Sequence, residues 1–119
     1  MDLVIGGAYQ GKLDYARETF GLSEADVCLC TAEAAANPEQ RCWYHYERYV
    51  LFCLRRGEKP QLPTRSDAVV IADDIFCGVV PLDPETRLWR EETGRALTAV
   101  SKASDSVTRI FCGLPLALK

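Results

Sequence analysis

Three groups of residues have the types and spacing to do chemistry. The first lies in Leu3–Ala16 (LVIGGAYQGKLDYA), where a short apolar run meets a glycine-rich turn and the start of a helical pattern. Gly6, Gly11 and Lys12 follow G-x-x-x-x-G-K, the spacing of a loop that cradles phosphate. Glycines let such a backbone bend so that successive N–H groups face one anion, and a helix start behind them adds unpaired amides and a favourable dipole. Gly6, Gly7, Ala8, Tyr9, Gln10, Gly11, Lys12 and Leu13 are the expected phosphate-binding residues, with the Lys12 ammonium as a point charge for the terminal phosphates. Leu13 stands where a Ser or Thr hydroxyl would normally ligate Mg2+. The alternative is a tight strand-to-helix turn that binds nothing.

The second group is Asp73 and Asp74, which close the apolar run AVVIADDI. A carboxylate at the end of a buried strand is well placed to hold Mg2+ or its water shell, although paired acids also serve as ordinary turn residues. The third is His45, the sole histidine, in CWYHYERY. A histidine there can act as a nucleophile or a base near neutral pH, or can simply pack. Cys28 and Cys30 would share one face of a strand and, with His45, make conceivable zinc ligands, but no second C-x-C or C-x-x-C completes a set. Arg87, Arg90 and Arg95 lie on one helical stretch with Gly94 in its interior, and their plainest reading is a solvated face beside Glu91 and Glu92; Arg95 is the least easily explained that way.

These residues need a scaffold, and the apolar pattern supplies one. Leu3–Ile5, Val27–Thr31, Ala68–Ala72 and Val107–Cys112 are short, largely β-branched runs suited to strands buried on both faces. Lys12–Phe20 places Leu13, Ala16 and Phe20 on one helical face, with Gly21 as its stop. A second helix is expected from an Asn37 cap, Pro38 at its first position and Gln40 as capping partner, ending before Gly57, with Trp43, Tyr46, Val50 and Leu54 as its apolar stripe. A third runs from an Asp83 cap and Pro84 to about Ala103, with Leu88, Ala96, Val100 and Ala103 inward. Glu58–Ser66, polar and carrying two prolines, connects them. Alternating strands and helices imply a three-layer α/β fold with a parallel sheet, whose ligands collect outside the carboxyl ends of the strands.

At 119 residues the chain is expected to form one domain, 1–119, with a substantial core. With 48% apolar residues disorder is not expected, and no apolar run approaches the length of a membrane span. The N-terminus shows no basic stretch followed by a long apolar one, so a cytoplasmic location is expected. A net charge of −3 and a pI near 5.1 argue against nucleic acid as a partner. The six cysteines, without a secretion signal, are expected as free thiols, four of them in apolar runs.

The stretch from Ile71 to Lys119 resembles the closing portion of the adenosylcobinamide kinase/adenosylcobinamide-phosphate guanylyltransferases of cobalamin biosynthesis. The resemblance rests on Gly78, Val79, Val80 and Pro81, then Arg87, Trp89, Arg90, Glu91, Gly94 and Arg95, and finally Gly113, Leu114, Pro115 and Lys119. LVIGGAYQGK is similar to that family's glycine loop, and the region from Cys28 to Thr64 is dissimilar. The resemblance implies a P-loop NTPase-like (RecA-like) parallel sheet of about four to five strands flanked by helices. It also implies GTP or ATP with Mg2+, a corrinoid substrate and a homo-oligomer. It makes Asp74 the acidic position of the turn, Gly78, Pro81 and Arg95 further site residues, and His45 a candidate for the guanylylated histidine. Leu13 departs from the family's hydroxyl. The expected function is therefore nucleotide-dependent corrinoid processing, with a non-catalytic nucleotide- or corrinoid-binding homologue as the alternative.

Overall fold

The structure, a computed structural model, is described over residues 1–75 and 82–119. Gly78 and Pro81, with the rest of the expected turn from Phe76, lie outside the described residues. Chain order runs β1 (Asp2–Gly6), α1 (Lys12–Phe20), a single 3-10 turn, β2 (Val27–Leu29), β3 (Cys42–Tyr44), α2 (Tyr46–Arg55), β4 (Val69–Asp73), α3 (Pro84–Ala103), β5 (Ser106–Phe111) and β6 (Leu114–Ala117). The strands form one mixed sheet in the order β2-β3-β4-β1-β5-β6. The first five are parallel to their neighbours, and β6 folds back antiparallel on β5.

Strand alternation sorts the core into two layers. Leu3, Trp43, Val70, Ala72 and Val107 face one side with Tyr46, Tyr49 and Val50 of α2 and Leu97 and Val100 of α3. Val4, Cys42, Val69, Ile71 and Ile110 face the other with Ala16 of α1, against which Leu13 and Phe20 also pack. Helices on both faces are what buries Val69, Val70, Ile71 and Ala72 in succession. β1 sits between β4 and β5, and the chain leaves its carboxyl end over one face by α1 and returns to its far side after α3. This is a topological switch point, where a crevice opens at the sheet edge.

α1 and α3 form where the sequence places them. Gly21 takes φ 64° and caps α1, and the Asp83 carboxylate accepts the Thr86 N–H with Pro84 at the first helical position. Along α3, however, the buried residues are Thr93, Leu97 and Val100, while Leu88 and Ala103 are exposed. The expected second helix is corrected more deeply. Asn37 caps a turn, its Oδ1 accepting the Glu39 N–H and its carbonyl the Gln40 N–H, and the chain then enters β3 before α2 begins at Tyr46. Cys42–Tyr44 is extended because it has strand partners on both edges, β2 and β4. Trp43 nevertheless shares a core with Tyr46, 6.1 Å between ring centroids, so the apolar stripe survives the change of backbone.

The sheet differs from the expected four to five parallel strands by β3 and by β6. Residues Cys112 (φ 50°) and Gly113 (φ 76°) form the two-residue turn that reverses the chain, with Phe111 paired to Leu114. Residues 58–66 form the expected connection, secured where the Tyr46 hydroxyl donates to Gln61 O and the Gln61 N–H donates to the Tyr49 hydroxyl. No helix among the described residues is long and apolar enough to cross a membrane.

Candidate functional site

Sheet register assembles the site. Gly6 ends β1 directly beside Asp73 at the end of β4, and Tyr44, ending β3, pairs with Ile71 two residues before it. Three carboxyl strand ends therefore present the glycine loop, Asp73 and His45 to the same crevice. A cleft of about 490 Å3 is lined by Ala8–Asp14, Tyr44, His45, Arg48 and Asp73.

The loop needs glycine at two positions. A Cβ on Gly6 would come within 2.5 Å of Ile110 O on β5, and Gly11 adopts φ 88° as the residue preceding α1. At Gly7 a Cβ would meet only ordinary contacts, 3.6 Å from the Gln10 side chain. The far end of the chain braces this loop. Gln10 O accepts the Gly113 N–H at 2.9 Å, and the Gln10 side-chain oxygen accepts the Cys112 N–H. Tyr9, at φ 59°, is fully exposed at the mouth of the cleft.

Lys12 is 5% exposed. Its ammonium donates to Gly7 O at 2.6 Å and pairs with Asp73 Oδ1 at 2.7 Å, which ties the loop to the end of β4. Asp73 is held in turn by Glu47, whose Oε1 accepts the Asp73 N–H at 2.7 Å. Glu47 is buried in the first turn of α2, and its backbone carbonyl accepts the Trp89 indole N–H at 2.7 Å, fastening α3 to the same spot. His45 precedes α2 with φ 63°, a left-handed conformation rare outside glycine. That conformation stacks its ring on Tyr44, 3.9 Å between centroids, and turns Nδ1 toward Glu47 Oε2 at 3.5 Å and Asp73 Oδ2 at 3.9 Å. Burial raises the Tyr44 hydroxyl above its ordinary range, reinforced by the charges of Asp73 and Glu47.

The residues expected from sequence separate into those the fold gathers and those it does not. Gly6, Gly11, Lys12, Asp73 and His45 converge; Leu13 lines the cleft and also packs on the core beside Val4 and Ala16. Asp74 adjoins the loop without lining the cleft: its N–H donates to Gly6 O at 3.0 Å, its Oδ1 lies 4.0 Å from where a Cβ on Gly7 would stand, and its Oδ2 is 3.9 Å from Arg109 on β5. Arg95 is exposed and paired with Glu92 at 2.7 Å on the surface of α3, away from the loop. Cys28, Cys30 and His45 are not gathered into a ligand set. The Cys30 thiol is buried, which raises it above the usual thiol range and opposes the thiolate that zinc needs. Among the described residues, the group able to hold a metal is His45, Glu47 and Asp73. Glu47 and Arg48 were not singled out in the sequence. The only signal for Glu47 was its position two residues after His45 in the first turn of a helix; Arg48, exposed beside the cleft, carried none.

A glycine loop between the central strand and first helix of a mostly parallel sheet, with an acid and a histidine at neighbouring strand ends, defines an α/β protein with a polar crevice at the carboxyl edge of its sheet. Over residues 59–118 the chain matches the cobinamide kinase / cobinamide phosphate guanyltransferase family, and it belongs to that family. The matched segment contains β4, α3 and the β5–β6 hairpin, and so supplies Asp73 to the crevice and, through Gly113, the brace on its loop; the glycine loop and His45 precede it. No curated protein matches the chain.

Proposed function

We propose that this chain is a nucleotide-dependent corrinoid-processing enzyme built on a P-loop NTPase-like core, with the crevice at Gly6–Lys12 as its nucleotide site. The observation that carries this reading is convergence. A loop whose two essential glycines are dictated by geometry, a lysine, an aspartate and a histidine from three strand ends line one cleft in a member of a cobinamide kinase and guanyltransferase family.

In this reading the phosphates of GTP or ATP lie against the loop amides and the N-terminus of α1. Lys12 exchanges its contact with Asp73 for a phosphate oxygen, and Arg48, exposed on the cleft wall, adds a second cation. A divalent ion accompanies the nucleotide and neutralises charge on its outer phosphates. Leu13 offers it no oxygen, whereas Asp73 and the buried, unpartnered Glu47 Oε2 fit a cation at this edge of the sheet. Kinase chemistry asks the protein mainly for positioning and charge stabilisation of the transferred phosphoryl group. For guanylyl transfer, neutral His45 attacks the α-phosphorus of GTP through Nε2. A P–N bond forms as pyrophosphate leaves, and the phosphate of cobinamide phosphate then displaces histidine to receive GMP.

A second reading, a homologue that binds nucleotide or corrinoid without turnover, is favoured by the same leucine and by the inward, ion-paired position of Lys12. Incubation with GTP or ATP, Mg2+ and adenosylcobinamide decides between them. Phosphorylated or guanylylated corrinoid that disappears in Lys12→Ala supports the enzyme, and nucleotide binding without product supports the binding protein. Homo-oligomerisation is proposed as well. Phe111 and Leu114, cross-strand partners, and Leu116 on the same face are 60–70% exposed on the outer hairpin of the sheet.

A further inference from the structure

The mutual placement of His45, Glu47 and Asp73 leaves one buried charge without compensation. Glu47 is 2% exposed, and its Oε1 is committed to the Asp73 N–H, which fixes the carboxylate and aims Oε2 toward the His45 ring. Oε2 and His45 Nδ1 are both buried without a hydrogen-bond partner among the described residues, and their 3.5 Å separation is long for a bond to each other. A carboxylate oxygen desolvated in this way is costly unless a cation faces it. The nearby ammonium, Lys12, is engaged with Asp73 Oδ1 and Gly7 O. Glu47, Asp73 and Lys12 together carry a net charge of −1 with His45 neutral, from two carboxylates and one ammonium.

We infer that His45 Nδ1, Glu47 Oε2 and Asp73 Oδ2 form a binding site for one divalent transition-metal ion on the wall of the nucleotide cleft. The three donor atoms lie within 4.8 Å of one another, with the His45 nitrogen 3.5 and 3.9 Å from the two oxygens. A tetrahedral ion at about 2.1 Å from each donor needs donors about 3.4 Å apart, so the two histidine–carboxylate separations close on the ion by about 0.1 and 0.5 Å and the carboxylate–carboxylate separation by no more than about 1.4 Å, a side-chain adjustment. One imidazole with two carboxylates suits Mn2+, Fe2+, Co2+ or Zn2+; Mg2+ prefers oxygen donors and retains its water. The bound ion turns a local charge of −1 into +1, which favours an anion in the adjoining glycine loop. A metal on Nδ1 places the ring proton on Nε2, so the metal-loaded histidine is a ligand and not a nucleophile. In that form the crevice serves phosphoryl transfer, with His45, Glu47 and Asp73 supplying the metal contact that Leu13 does not.

The inference rests on the proposed nucleotide site for its purpose but not for its test. The full chain, freed of metal by a chelator and with no nucleotide present, is titrated with Mn2+ under electron paramagnetic resonance and with Co2+ under visible absorption. One equivalent of each is expected, with a Co2+ spectrum lacking a thiolate charge-transfer band, which separates this site from Cys28 and Cys112. Glu47→Gln, which keeps an acceptor for the Asp73 N–H, and His45→Gln, at a partly exposed helix start, are each expected to weaken binding by about 100-fold or more. Absence of uptake, uptake unchanged in both variants, or a thiolate band would overturn the site. Metal uptake without any GTP or ATP binding would keep the metal site and remove the nucleotide reading; nucleotide binding without metal uptake would do the reverse.

Discussion

Replacing Lys12 with methionine keeps the length and apolar stem of the side chain and removes only its ammonium. In the structure that ammonium compensates Asp73, and the two side chains are 5% and 19% exposed. Breaking one partner of an ion pair costs about 3–5 kcal/mol when the pair is dry and about 0–1 kcal/mol when it is wet. This pair stands close to the dry limit, and its loss also leaves Gly7 O without the Lys12 donor. The expected destabilisation is about 3 kcal/mol, a fall in Tm of roughly 9–15 °C for a domain of this size. Thermal unfolding followed by circular dichroism measures it. Most of the cost belongs to the stranded carboxylate, so Lys12→Met with Asp73→Asn is expected to recover at least half of the loss, a coupling that a double-mutant cycle reads directly. The exposed Arg55–Glu85 pair, at 2.8 Å but 47% and 53% exposed, is the control, and Arg55→Ala is expected to leave Tm within experimental error. A Lys12→Met protein melting within about 3 °C of wild type would refute the reasoning, because the pair would then be behaving as a surface contact.

Three further outcomes follow from local geometry. Gly6→Ala forces a Cβ to 2.5 Å from Ile110 O and is expected to cost roughly 2 kcal/mol or more by denaturant titration, whereas Gly7→Ala meets ordinary contacts and stays near wild type. Alkylation at pH 8, resolved by residue with mass spectrometry, is expected to label exposed Cys112 first among the cysteines of the described residues. Cys42, which burial pushes up to about 12, and Cys30 and Cys53, raised by the same cause, hold little thiolate and should react only on unfolding. Leu116→Lys places a charge on the exposed hairpin face and is expected to shift the chain to monomer in light scattering; a wild type already monomeric at micromolar concentration would remove that surface from consideration.

Where local signals and tertiary context agree, the sequence is a sufficient guide. Asp83 and Pro84 start α3, Gly21 stops α1, and the run through Val69–Ala72 is a strand buried on both faces, because caps and unbroken apolar runs act over a few residues. Cys42–Tyr44 defeats that logic. Trp43, Tyr46 and Val50 recur at helical spacing, and Asn37-Pro38 with Gln40 imitates a helix start. The backbone at Cys42 is decided instead by hydrogen bonding to β2 and β4, partners distant in sequence. Because the helix begins at Tyr46, His45 occupies a left-handed position before the first turn and meets Asp73, which a mid-helix histidine would not. Glu47 was illegible for a similar reason. Its placement depends on the Asp73 N–H and the Trp89 indole, 26 and 42 residues away. The strand-to-helix turn was legible because Gly11 answers a local requirement, a positive φ before α1, whereas the close approach of Ile110 O to Gly6 and the pairing of Lys12 with Asp73 belong to the tertiary fold; Leu13 behaves as its chemistry suggests, packed on the core while bordering the cleft.

The central claim is that the crevice at the end of β1 holds nucleotide, and isothermal calorimetry with GTP and with ATP, each with and without Mg2+, tests it most directly. One nucleotide per chain is expected, with affinity falling at least about tenfold in Lys12→Met, the loss of one charged phosphate contact. Absence of binding of either nucleotide at millimolar concentration, by a chain shown to be folded, would contradict it.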